Sequence, residues 1–167
     1  MNTNDITIGG LTAALYVVLT LVASALGLAS GVIQVRISEA LTILPVFTAA
    51  AVPGLTVGCV LANLITGCAA WDVVFGSLAT LLGAVGTRLL KNKPFLAWIP
   101  PVVSNMAIVP VILMKVYGLE DAWWYLVITV GAGEIISCGI LGRQLWYLLN
   151  KNPAFLRQVG VQPARQD

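Results

Sequence analysis

Gln34-Val35-Arg36-Ile37-Ser38-Glu39-Ala40-Leu41 sets an arginine, a serine and a glutamate side by side in a chain that otherwise avoids polarity. Charged residues are 10% of the 167, against about 25% in an ordinary soluble domain. Hydrophobic residues are 59%, more apolar surface than a water-soluble domain of this length covers. Lipid is therefore the expected solvent, and a charge facing lipid costs several kcal/mol. Arg36, Ser38 and Glu39 are expected to face a cavity, a partner or a ligand. The stretch also falls where one membrane helix hands over to the next.

Six apolar segments flank it, at about residues 6–29, 37–51, 55–70, 72–90, 95–116 and 122–149. A crossing needs about 20 apolar residues. The second and third are short, and the turn between them is placed at Pro53-Gly54. They make two crossings, or else a hairpin that leaves four full spans. The preferred reading is an all-α, integral membrane bundle of six transmembrane helices. Residues 1–150 form one transmembrane domain, and 151–167 form a polar cytoplasmic tail.

Six crossings put both termini on one side. That side collects Arg88, Lys91, Lys93, Arg143, Lys151, Arg157 and Arg165. The positive-inside rule makes it the cytoplasm of a multi-pass cell-membrane protein. Trp71, Tyr117, Trp123 and Trp124 fall at the outer edge. Phe95, Trp98, Trp146 and Tyr147 fall at the inner one, as two aromatic belts. Residues 1–5 lack the basic start and cleavage site of a signal peptide, so the first segment is expected to stay in the membrane.

Composition also limits the chemistry. The chain has no histidine, which removes the commonest general base and metal ligand. Cys59, Cys68 and Cys138 lie apart in apolar runs, so neither a zinc nor a redox centre is expected. There is no GxxxxGK[ST] motif. No catalytic role, cofactor or nucleic-acid partner is expected.

Several polar residues then need a task. Glu134 lies about 12 residues into the sixth segment, near mid-membrane, among Gly131, Ala132, Gly133, Ser137 and Gly139. An intramembrane carboxylate marks a functional site by default; the alternative is a protonated or helix-paired glutamate. Arg36, Ser38 and Glu39 sit at the outer mouth of the second helix, either as helix cap and ion pair or as pocket wall. Asn63 and Asn105 bridge helices or read a ligand edge. Asp72 reads as an N-cap. Tyr16 and Trp71 are able to stack on a flat ring, or anchor and pack. Gly9/Ala13 and Gly10/Ala14 make two small-residue pairs that suit close packing on another helix.

Taken together, these residues resemble the queuosine-precursor transporter (QueT) family, a type of substrate-binding S-component in energy-coupling factor (ECF) transporters. The resemblance rests on residues 34–42 with Leu44-Pro45, on Pro53-Gly54-Leu55, Gly58-Cys59 and Leu61-Ala62-Asn63-Leu64, and on Asp72 through Thr80. Pro100-Pro101 with Asn105, and Gly133-Glu134, are similar too. It covers about residues 13–149 and leaves the tail after Asn150 unmatched. It implies six helices and an outward pocket for a 7-cyano- or 7-aminomethyl-7-deazaguanine. It also implies a membrane coupling subunit of the EcfT type and two cytoplasmic ATPase subunits. Substrate-binding roles are expected for Arg36, Ser38, Glu39, Asn63, Trp71, Asp72, Asn105 and Glu134. Docking on the coupling subunit is expected for Gly9, Gly10, Ala13 and Ala14.

The chemistry agrees independently. A deazaguanine offers ring N–H and NH₂ donors beside a carbonyl. A carboxylate accepts two donors at once, and Arg36 or an asparagine suits the carbonyl. Other readings are an S-component for another small ring, and a self-sufficient ion-coupled carrier using Glu134. An intramembrane enzyme and a structural bundle are further classes.

Overall fold

The computed structural model describes residues 3–28 and 33–159, and every regular element among them is a helix. Four segments are long and apolar enough to cross a membrane: Thr3–Ala25, Ala70–Leu89, Pro94–Lys115 and Trp123–Asn150. Their exposed faces carry apolar side chains such as Leu11, Val18, Val74, Val103 and Ile128. That is the surface expected of helices whose solvent is hydrocarbon.

α1 (Thr3–Ala25) is followed by an extended stretch over Gln34–Arg36 and then a 3₁₀ helix (Ile37–Val46). Ser38 through Pro45 of that helix are all buried. A helix covered all round belongs to a core, and this one is the centre of the bundle. It packs on α1, α3, the last long helix and α2. α2 (Ala51–Ile65) runs beside α1 in the same direction, with Gly54 at Gly9 and Gly58 at Ala13. A Schellman-type end closes α2. Cys68 N–H reaches Asn63 O at 3.0 Å, and Gly67 takes φ +74°, which costs glycine nothing. α3 (Ala70–Leu89) then returns antiparallel to α4 (Ile99–Lys115), with Gly83 against Pro101 and Gly86 against Pro100. Thr87 Oγ1 donates to Ala97 O at 2.8 Å and ties the connection. α5 (Trp123–Glu134), a π-helical stretch (Ile135–Leu141) and α6 (Gly142–Asn150) are continuous.

Three expectations change here. The second and third segments are shorter than a span. At about 2.0 Å per residue the 10-residue 3₁₀ helix covers about 20 Å, and the 15-residue α2 covers about 22 Å at 1.5 Å per residue. The hydrocarbon core is about 30 Å thick, so the structure establishes four long apolar helices and not a count of six. Pro53-Gly54 is no turn. Both residues lie in the first turns of α2, where proline is tolerated, and the reversal is at residues 47–50. Gly54 is there for contact, since an added Cβ would meet Gly9 O at 2.5 Å.

The tail is not wholly free either. Pro153–Gln158 forms α7, capped by Asn152 Oδ1 at Ala154 N and Phe155 N. Leu156 is buried, and Phe155 meets Phe47 edge-on at 5.5 Å. The expected end of the first segment, at about residue 29, falls outside the described residues, as does Arg165.

Candidate functional site

A cavity of about 360 Å³ opens at the end of the bundle where α1, α2 and α4 finish and α3 begins. Small-molecule sites run roughly 300–1,000 Å³. Its polar lining includes Thr20, Arg36, Ser38, Asn63, Asp72 and Tyr117. Four of the residues singled out in the sequence therefore share one wall.

Each is held by a short local network. Asp72 is the third residue of α3, not its cap, because Ala69 occupies the cap position and offers no side-chain bond. The Asp72 carboxylate accepts from Tyr117 OH at 3.1 Å, and Tyr117 OH in turn accepts from Ala69 N–H at 3.3 Å. Asn63 Nδ2 donates to Asp72 O at 3.4 Å across the α2–α3 turn. Ser38 Oγ accepts from Thr20 Oγ1 at 2.9 Å, joining the 3₁₀ helix to α1. Arg36 is half-buried on extended backbone. Non-helical backbone at membrane depth is tolerated where it is buried in protein or lines a cavity, and residues 34–36 meet that condition.

Glu39 and Glu134 lie together, deeper than the sequence suggested for Glu39. Their carboxylate oxygens and Cys138 Sγ fall within 4.8 Å of one another. Glu134 ends the 12 residues of α5, about 18 Å along its axis. Glu39 reaches the same depth because Gly133 packs on the backbone of Gln34 with no room for a Cβ. Glu39 is thus no residue of the outer mouth. Nor does it serve the start of its own helix, since its side chain accepts a hydrogen bond from Tyr16 OH of α1.

The helix types make the cluster. A 3₁₀ helix has three residues per turn, which stacks Arg36, Glu39 and Thr42 along one edge. Thr42 Oγ1 donates to Glu39 O at 2.6 Å. Opposite stands the π-helical stretch, a rare form often found at functional sites. There Cys138 Sγ donates to Glu134 Oε2 at 3.3 Å. Arg36 is in electrostatic contact with Glu39, Asp72 and Glu134. Asn105 faces Glu134 from α4, yet its Nδ2 closes no full hydrogen bond among the described residues, and neither does Glu39 Oε2. Glu39, Glu134 and Cys138 are the ligand-type trio a metal would use. With the thiol proton directed at Glu134, the trio stands as a hydrogen-bonded cluster.

Two expected residue sets divide. Trp71 is 62% exposed, stacks on Phe75 at 5.5 Å and lines an outer groove between α3 and α4, apart from the cavity. Gly9 and Ala13 are consumed inside the chain against α2, while Gly10 and Ala14 face outward. Sequence reasoning offered Tyr16 only as a stacking or packing residue, and missed Cys138, Thr20 and Tyr117. Cys138 carried a signal, four residues after Glu134; Tyr117 and Thr20 carried none.

A family model described as QueT transporter matches residues 6–151. Among characterised relatives, the "Queuosine precursor transporter QueT" of Lactococcus lactis subsp. cremoris (strain MG1363) is 36% identical over 81 residues, covering 48% of this chain and 47% of that protein. The chain thus aligns with about half the length of that relative. No solved structure matches. A model match running from α1 to the end of α6 takes in both the cavity and the acid pair, and this membrane chain belongs to the QueT transporter family, whose members are transporters and not enzymes.

Proposed function

We propose that this chain is the substrate-binding membrane subunit, the S-component, of an ECF transporter that imports a queuosine precursor, a 7-cyano- or 7-aminomethyl-7-deazaguanine. The observation that carries the reading is the cavity walled by Arg36, Ser38, Asn63 and Asp72, with the Glu39–Glu134 pair in electrostatic contact with Arg36. Deazaguanine donors suit the carboxylates, and its carbonyl suits Arg36 or Asn63. Without a nucleotide-binding motif in the sequence, the driving force comes from two cytoplasmic ATPase subunits through a coupling subunit of the EcfT type. Gly10 and Ala14 offer that subunit a smooth strip on the outer face of α1.

The shorter 3₁₀ helix and α2 complete six passes, because the chain reverses direction at each connection. Both termini then lie in the cytoplasm with exposed Lys91, Lys93, Lys151 and Arg157. The cavity opens outward.

Titration calorimetry on the purified chain with both deazaguanines, guanine and common vitamins tests the reading. Deazaguanine binding that weakens in Glu39→Gln and Asp72→Asn is expected. Tight binding of a vitamin alone makes this an S-component for another ring. Co-purification with ATPase subunits is expected to be lost in Ala14→Leu and kept in Ala13→Ser. Glu134 beside a π-helical stretch favours one second reading, an ion-coupled carrier. Uptake by vesicles holding this chain alone would establish it.

A further inference from the structure

Three buried carboxyl groups bear on Arg36: Asp72, at 7% exposure, lines the cavity, while Glu39 at 0% and Glu134 at 6% form a pair outside its lining. One guanidinium, that of Arg36, faces them. Among the described residues lining the cavity Arg36 is the only cation. Lys115 lines the outer groove with Trp71. Tyr16 and Cys138 give the acid pair one hydrogen-bond donor each. Glu39 Oε2 remains buried and without a donor. Such an atom is costly to leave unpaired.

Resting on the binding role proposed above, we infer that the site takes its substrate as a cation. The primary ammonium of the 7-aminomethyl form seats between Glu39 and Glu134, while Asp72 and Asn63 read the ring at the cavity wall. An ammonium brings three donors and no acceptor. It supplies the missing partner to Glu39 Oε2 and a charge-assisted bond to Glu134. The 7-cyano form has neither a donor nor a charge for the pair. The two forms therefore differ most at Glu39 and Glu134, and least at Asp72.

Calorimetry at neutral pH on the full chain, with 7-aminomethyl-7-deazaguanine, 7-cyano-7-deazaguanine and guanine as probes, tests this. The aminomethyl form is expected to bind about 30-fold tighter than the cyano form or better, the scale of a buried charge pair. In Glu134→Gln the preference shrinks to a few-fold. In Asp72→Asn both probes weaken alike and the preference survives. The wild-type ratio needs no variant, so a misfolded mutant leaves the test intact. Equal or tighter binding of the cyano form overturns the inference and leaves the deazaguanine role standing. A preference unchanged in both Glu39→Gln and Glu134→Gln overturns the placement of the ammonium. Failure of every deazaguanine to bind removes the reading beneath both.

Discussion

At the end of the bundle that carries α7, helices meet backbone to backbone; at the opposite end, side chains meet around space. Gly54 and Gly58 of α2 bring that helix onto Gly9 and Ala13 of α1, leaving no volume for one more carbon. Gly83 and Gly86 do the same for α3 against Pro101 and Pro100. Around the cavity, contacts run instead through Thr20–Ser38, Asn63–Asp72 and Tyr117–Asp72. Lipid supplies no hydrophobic drive between helices, so close packing of small residues has to hold the bundle. The polar end is then free to keep unmatched groups. Stability and binding should thus respond to different substitutions.

Glu39→Gln should show the largest effect, and on binding. It replaces a fully buried carboxyl group whose second oxygen has no hydrogen-bond partner among the described residues. Affinity for 7-aminomethyl-7-deazaguanine should fall by roughly 2–5 kcal/mol, measured by calorimetry, with the unfolding temperature in detergent held or raised. A variant that unfolds while retaining affinity would reverse the comparison.

Gly54→Ala should come next, and on stability. Its new methyl meets Gly9 O at 2.5 Å, a backbone atom that cannot swing aside. Overpacking of this kind costs about 1–3 kcal/mol, read as a lower midpoint in thermal or detergent unfolding. Gly10→Ala is the matched control, because nothing lies within 4 Å of that position. Its stability should be unchanged or slightly raised.

The same glycines explain what the sequence could and could not tell. Composition and apolar runs revealed a helical membrane chain, since burial in lipid demands both. Arg36, Glu39 and Glu134 were legible as a group because each is too costly to leave in hydrocarbon. The geometry that joins them was not. An α-helical reading turns Arg36 and Glu39 through about 300°, whereas the 3₁₀ helix aligns them, and a 10-residue 3₁₀ helix is uncommon. Pro53-Gly54 looked like a turn because proline at the start of a helix and glycine at a helix contact leave the same letters. Gly9/Ala13 and Gly10/Ala14 are about 100° apart on α1. In the structure the first pair meets α2 while the second faces outward.

Thr20→Val should affect the polar end less. It removes the hydroxyl that holds Ser38 Oγ at 2.9 Å, with nearly the same shape left behind. A loss of about 1 kcal/mol in affinity is expected, with little change in unfolding. An equal loss in stability would mean that the α1–3₁₀ contact supports the bundle as well as the cavity wall.

Asn152→Ala should have the smallest effect, confined to the other end. Asn152 Oδ1 accepts from Ala154 N–H at 3.0 Å and Phe155 N–H at 3.2 Å, and caps of this type contribute typically about 1 kcal/mol. α7 has only 6 residues, too few to hold as a helix unaided. It stays because Phe155 lies on the seam formed by α1, the 3₁₀ helix and α6, and Leu156 is buried. Losing the cap should speed hydrogen exchange at residues 153–158 and leave exchange at Gly54 and Gly58 unchanged. Deazaguanine affinity should also be unchanged, because no residue of α7 lines the cavity. A drop in affinity would show that the two ends communicate through α1 or the 3₁₀ helix, which both reach from the seam to the cavity.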